Sequence, residues 1–322
     1  MGPITLLAIA DPAAPHLRML RELPASVRTV VSDDLEKLKA AAPEADVLLN
    51  GGFHGPLFRA VFPFAAKVRW VHNLSAGVEG VLTPELVASP VPLTNGRGVF
   101  SNILGEFVIG AVLYFAKDFR RMIRNQEAGE WAQFDVTEVK GQVMGIVGYG
   151  DIGQACARLA HAIGMRVMAL RRRAALSQND PNIERIYTPE RLDEMLCACD
   201  YLVAATPNTP ETRGLIGERQ LGLLKPEAVI INVGRGPVIV EEALIAALAE
   251  KRIKGAALDV FDKEPLREGH PFYRLKNVLL SPHCADHTPG WTEKAMQKFL
   301  DNFERFWKGE PLEYVVDKRA GY

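Results

Sequence analysis

The chain has 322 residues, with 38 Lys and Arg against 39 Asp and Glu and a formal net charge of −1, a length that predicts about two domains. The charge balance excludes bulk attraction to nucleic acid or to an anionic membrane surface, but leaves room for a local cationic site. Hydrophobic residues at 48% with 24% charged describe a globular chain, not a disordered one.

The opening run from Met1 meets Asp11 and Pro12 before its first basic residue, Arg18, so no secretory signal is expected. The longest apolar stretch, Val108 to Ala116, falls well short of the roughly 18 residues a membrane span needs. Cys156, Cys197, Cys199 and Cys284 form no CxxC pair and no zinc spacing. Neither metal nor disulfide framework is expected. The four thiols are read as buried ones in a reducing compartment, the cytoplasm.

In chain order, Ile4–Ala10, Val27–Val31, Asp46–Leu49 and Val68–His72 read as strands. Helical segments separate them, such as Asp33–Ala42 with Leu35 and Leu38 on one face. This pattern is that of a small α/β layer domain. Asn95-Gly96-Arg97-Gly98 breaks it, and a long apolar helix follows over Ile103–Lys117. Gly105 and Gly110 inside that helix permit close packing, at an interdomain or subunit contact.

Six further apolar runs read as strands: Val143–Val147, Arg166–Leu170, Tyr201–Ala205, Val229–Val233, Ala256–Val260 and Val278–Leu280. Helices over Ile152–Ile163, Pro189–Cys197 and Glu241–Glu250 fall between them. Near-continuous apolar strands joined by helices imply a doubly wound parallel sheet covered on both faces. The last segment, Pro289–Trp307, places Phe299, Phe303 and Phe306 at helical spacing and is expected to return to the first domain.

Gly148-Tyr149-Gly150-Asp151-Ile152-Gly153 follows one of these strands and opens a helix. In that context the GxGxxG pattern predicts a dinucleotide-binding turn, with the pyrophosphate at the helix N-terminus. About 20 residues further on, the second strand would end in an acid for the ribose hydroxyls of NAD. Here it ends in Arg171-Arg172-Arg173. Guanidinium groups bind a 2′-phosphate that a carboxylate would repel, so NADP is expected, with NAD as the alternative.

Ligands of open α/β sheets sit beyond the carboxyl ends of the strands. Arg235, Glu264 and His283 each lie just past the end of one of three successive predicted strands. An arginine can clamp a carboxylate, and a histidine can carry a proton near neutrality. A neighbouring glutamate would fix the imidazole tautomer and raise its pKa. These are the parts needed to reduce a 2-oxo acid when a nicotinamide cofactor supplies the hydride.

At these residues the chain closely resembles the D-isomer-specific 2-hydroxyacid dehydrogenase family. The resemblance spans nearly the whole chain and is strongest at Gly148–Gly153, Thr206–Ile216, Asn232–Gly236, Gly255–Leu266 and Ser281–Ala285. It implies two doubly wound parallel-sheet α/β domains: a Rossmann dinucleotide-binding domain at 99–287, inserted in a flavodoxin-like substrate domain at 1–98 and 288–322. It implies Arg235 as substrate clamp, His283 as proton donor and acceptor, and Glu264 as its partner. It further implies that Ser75, Ala76, Gly77 and Val78 offer backbone amides to the substrate carboxylate, and that Asp259 approaches the nicotinamide. Thr206, Pro207, Val233 and Gly234 would line the cofactor. The substrate would be a small 2-oxo or 2-hydroxy acid such as glyoxylate or hydroxypyruvate, and the assembly a homodimer.

The chain departs from the family pattern at Asp286, where many members have glycine. Glu264 stands where formate dehydrogenases of the superfamily carry glutamine, which disfavours that reaction. Asn50, Gly51, Gly52, Phe53 and Phe100 are candidates for lining the substrate side. Two alternatives share these motifs: a cofactor-sensing binding protein resembling the corepressors of this fold, and an NAD-linked biosynthetic dehydrogenase.

Overall fold

The computed structural model describes residues 3–52 and 54–322; Phe53 lies outside the described residues. The chain divides into two compact units, Met1–Phe100 with Thr288–Tyr322, and Ser101–His287.

In the first unit the elements are β1 (Ile4–Ile9), β2 (Val27–Ser32), α1 (Leu35–Ala41), β3 (Val47–Asn50), α2 (Gly55–Val61), β4 (Trp70–Asn73), α3 (Pro84–Ala88) and β5 (Leu93–Asn95). The strands form one parallel sheet in the order β2-β1-β3-β4-β5, the flavodoxin-like order. Alternation along β4 divides the core between the two sheet faces. Val71 joins Leu38, Phe58 and Val61 on one side. Trp70 points to the other, where it stacks on Phe299 with ring centroids 5.3 Å apart.

The second unit comprises α4 (Ser101–Ala116), α5 (Phe119–Ala128), β6 (Val143–Val147), α6 (Asp151–Ala162), β7 (Arg166–Leu170), β8 (Arg185–Tyr187), α7 (Leu192–Ala198), β9 (Tyr201–Ala204), α8 (Glu218–Leu221), β10 (Val229–Asn232), α9 (Glu241–Ala249), β11 (Gly255–Leu258) and β12 (Val278–Leu280). Its seven parallel strands run β12-β11-β10-β9-β6-β7-β8. The order reverses at β6, between β7 and β9, which makes the crevice between β6 and β9 the topological switch point. After β12 the chain returns to the first unit as α10 (Trp291–Lys308), which carries Phe299, Phe303 and Phe306.

Gly105 of α4 packs within its own unit, where a Cβ would lie 3.1 Å from the Leu159 side chain and 3.3 Å from the Ala155 backbone of α6, whereas at Gly110 an added Cβ would have no neighbour within 4 Å. One expectation, on the cysteines, changes. Cys156 and Cys199 are buried thiols, whereas Cys197 and Cys284 are exposed, one near the end of α7 and one in the loop after β12. Among the described residues no helix is long and apolar enough to cross a membrane.

Candidate active site

The glycine turn lies between β6 and α6, at the switch point. Gly148 has φ +99°, and a Cβ there would fall 2.6 Å from the Thr206 side chain and 2.7 Å from the Ala205 carbonyl oxygen. The turn is thus pressed against the end of β9, where Thr206 and Pro207 follow. A Cβ on Gly153 would meet the Gly148 carbonyl oxygen at 2.3 Å, so α6 starts directly against the turn. At Gly150, by contrast, an added Cβ would have no neighbour within 4 Å, and this residue caps the N-terminus of α6. The buried Thr206 Oγ1 has no protein partner. An open approach at Gly150 beside an unpaired hydroxyl fits a dinucleotide phosphate chain.

Tyr149, inside the turn, is buried and donates its hydroxyl to Asp180 Oδ2 at 2.8 Å. Burial, reinforced by that carboxylate, raises the phenol pKa. Arg171 leaves the end of β7 and donates Nη1 to Ser177 Oγ at 2.5 Å. Arg172 follows it into the same loop, Ala174–Ser177 forming a short 3-10 turn. This loop is cationic where NAD-binding turns carry an acid.

Three adjacent strand ends, those of β10, β11 and β12, carry Arg235, Glu264 and His283. His283 Nδ1 lies 2.6 Å from Glu264 Oε2, and Phe261 N–H donates to Glu264 Oε1 at 2.9 Å. An ionised carboxylate can only accept, so Nδ1 carries the proton and Nε2 is the nitrogen left for chemistry. The hydrogen bond to Glu264 raises the His283 pKa against the opposing effect of burial. Burial pushes the Glu264 carboxyl upward, but His283, the Phe261 N–H and Arg235 outweigh it and hold its pKa below the ordinary value. His283 has φ +51°, a conformation that non-glycine residues adopt at a cost.

Three residues that hold this arrangement were given no such role by the sequence. Asp259 Oδ1 accepts from Ser281 Oγ at 2.5 Å and from the N–H groups of Cys284 and Ala285 at 3.0 and 3.1 Å. It therefore ties the His283 loop to β11, a contact within the second unit. The signal was the register: Leu258 pairs with Leu280, which sets Asp259 opposite Ser281. Asn232 Nδ2 donates to the Arg235 carbonyl, while its Oδ1 accepts from Gly234 N–H, both at 3.1 Å. Gly236 lets that turn touch the end of β11, since a Cβ would sit 1.9 Å from the Phe261 carbonyl carbon.

Val233 and Gly234 lie at this same turn, and a Cβ on Gly234 would be 2.7 Å from the Thr206 carbonyl oxygen. Asp286, whose carboxyl pKa is raised by burial, lies 3.7 Å from His287 Nε2. Ser75–Val78 belong to the first unit and follow β4.

Such a switch-point turn and strand-end cluster on one parallel sheet define a dinucleotide-dependent dehydrogenase of the doubly wound class. Residues 109–285, over half of the chain, match the family described as D-isomer specific 2-hydroxyacid dehydrogenase, NAD binding domain. The glyoxylate reductase of Thermococcus gammatolerans is 34% identical over 269 residues, 81% of this chain and 79% of that protein. A D-isomer specific 2-hydroxyacid dehydrogenase family protein from Aeromonas salmonicida superposes with a TM-score of 0.86 at 28% identity, over 98% of this chain and 100% of that one. The NADPH-dependent glyoxylate/hydroxypyruvate reductase of Sinorhizobium meliloti, solved with NADP and sulfate, gives 0.85 at 27% identity over 100% of both chains. The chain belongs to the D-isomer specific 2-hydroxyacid dehydrogenase family.

Proposed function

We propose that this protein is an NADP(H)-preferring reductase of small 2-oxo acids such as glyoxylate or hydroxypyruvate. The observation that carries the reading is the 2.6 Å bond between His283 and Glu264 beside Arg235. The bound cofactor supplies the hydride that reaches the keto carbon. Arg235 clamps the substrate carboxylate, and its charge polarises the carbonyl. His283 Nε2 delivers the proton to the keto oxygen, while Glu264 keeps Nδ1–H and stabilises the imidazolium beforehand. After transfer the imidazole is neutral, with its remaining proton still directed at Glu264. In the reverse direction Nε2 takes the hydroxyl proton.

Arg171 and Arg172, standing where an acid would select NAD, support the preference for the 2′-phosphate. Gly148–Gly153, Thr206, Pro207, Val233, Gly234 and Asp259 complete the proposed cofactor contacts, and Ser75–Val78 the proposed carboxylate contacts. A homodimer belongs to the reading. Phe119, Met122 and Ile123 of α5 and the exposed Trp131 give the second unit an apolar face that a second copy would cover. The free cysteines suit a cytoplasmic enzyme.

The test is a steady-state comparison of NADPH and NADH over a panel of 2-oxo acids, run beside His283→Ala. The reading requires turnover with glyoxylate or hydroxypyruvate, better with NADPH. It also requires a loss on the order of 10²-fold or more in His283→Ala with cofactor binding retained. Oxidation of neither cofactor, together with cofactor-dependent capture of a protein partner, would establish the corepressor-like reading instead.

A further inference from the structure

The ends of β3, β4 and β5 carry Asn50, Asn73 and Asn95, which stand in register across the three neighbouring strands. All three are buried, at 3 to 4% exposure. Buried amides are costly unless satisfied, and an apolar side chain would serve the sheet better. Their hydrogen bonds converge on one loop. Asn50 Nδ2 donates to Asn73 Oδ1 at 2.8 Å, which orients the Asn73 amide. Asn73 Nδ2 then reaches Gly77 O at 2.7 Å, Ser75 Oγ at 2.8 Å and Ser75 O at 3.1 Å. Asn95 Nδ2 donates to Ala76 O at 2.5 Å. Gly96 N–H adds a second donor to Ser75 O at 3.2 Å.

The carbonyls of three successive residues, Ser75, Ala76 and Gly77, are thus all turned toward asparagine amides. Across a trans peptide the C=O of one residue and the N–H of the next point in opposite directions. Among the described residues the one cis bond is Glu264–Pro265. The N–H groups of Ala76, Gly77 and Val78 therefore face away from the asparagines. Successive amides presented on one side of a loop form an anion-binding concavity.

We propose that Asn50, Asn73 and Asn95 form a ladder that holds the loop Ser75–Val78 as a preset carboxylate cradle, with Asn73 and Asn95 as its positioning residues. This rests on the reading of the protein as a 2-oxo acid reductase and adds to it. The ladder works by engaging the acceptors of the loop, so that its donors need no reorganisation when the acid arrives. Substrate and transition state carry the same carboxylate, so loosening the cradle weakens both equally. That raises KM and leaves kcat nearly unchanged.

The experiment uses the full chain saturated with NADPH, with Asn73→Ser and Asn95→Ser as two independent variants. Glyoxylate kinetics are measured beside the affinity for oxalate, an unreactive dicarboxylate, by calorimetry. The expected result is a rise on the order of tenfold in glyoxylate KM and in oxalate Kd, corresponding to one charge-assisted hydrogen bond. kcat should change by less than about twofold, and NADPH affinity should hold. Folded variants with unchanged KM and oxalate Kd would overturn the cradle while leaving the reductase reading intact. So would a parallel loss of NADPH affinity and kcat, which marks a general structural role. A wild-type chain that binds oxalate but reduces no 2-oxo acid, with oxalate binding lost in both variants, would sink the reductase reading and keep the cradle. Failure of the wild-type chain to bind oxalate would overturn the cradle outright.

Discussion

Replacing Glu264 by Gln is the sharpest test of the acid–base pair, because it removes one charge and little volume. The carboxylate does two things in the structure. It accepts the Nδ1 proton of His283 at 2.6 Å, and its charge raises the imidazole pKa. A hydrogen bond to a charged partner contributes about 1.5–3 kcal/mol. With side chains 46% and 32% exposed, solvent screening brings this to the low end, about 1.5 kcal/mol, or roughly tenfold in the protonated fraction.

The sign follows from the direction of the shift. In the proposed mechanism His283 is protonated before it reduces a keto acid, and its raised pKa carries the protonated form further into the alkaline range. Without the carboxylate that pKa falls. The alkaline limb of kcat/KM for reduction should then move to lower pH, with a loss of about tenfold on that limb and much less in acid. Oxidation of the hydroxy acid should respond in the opposite sense, its acid limb moving to lower pH. The assay is a pair of pH profiles, one per direction, for wild type and Glu264→Gln. An unmoved profile, or an equal loss at every pH, would refute the coupling and reduce Glu264 to a structural support.

Arg171→Ala should weaken NADPH by about tenfold or more while leaving NADH nearly unchanged, a difference read from the two dissociation constants. His72 is fully buried, and burial holds its pKa down at about 3 against an ordinary 6.5. It therefore stabilises the neutral-pH fold, and the contribution is lost as pH falls from 6.5 toward about 3, at up to roughly 1.4 kcal/mol per pH unit. His72→Phe should flatten that acid slope in urea titrations; an unchanged slope would mean that other groups set it. Asp286→Asn should improve kcat/KM several-fold for dicarboxylic 2-oxo acids relative to glyoxylate, by removing a carboxylate from the His283 loop. An unaltered ratio would show that Asp286 faces no substrate.

Much of the fold was legible because parallel strands buried on both faces are near-continuous apolar runs. Ten such runs coincide with strands, differing mainly by a residue at their ends. The strands the sequence did not reveal, Leu93–Asn95 and Arg185–Tyr187, are three-residue edge strands whose polar ends resemble loops. Arg235, Glu264 and His283 stood out because a parallel sheet delivers all its strand ends to one rim. The supports beneath them did not. Asp259 pins the His283 loop through Ser281, a pairing that exists only once β11 and β12 are in register. Asn73 and Asn95 likewise look like ordinary strand-terminating residues until the carbonyls they hold are seen.

The way the first unit is assembled from both chain ends also bears on its biosynthesis. Residues 101–287 are contiguous and can close their sheet as soon as β12 is made. The β-strands synthesised before them cannot: Trp70 finds its stacking partner only in Phe299, more than 200 residues later. On that face of the earliest sheet the packing around Trp70 is completed only once Trp291–Lys308 has been made. The unit begun first on the ribosome is the unit finished last.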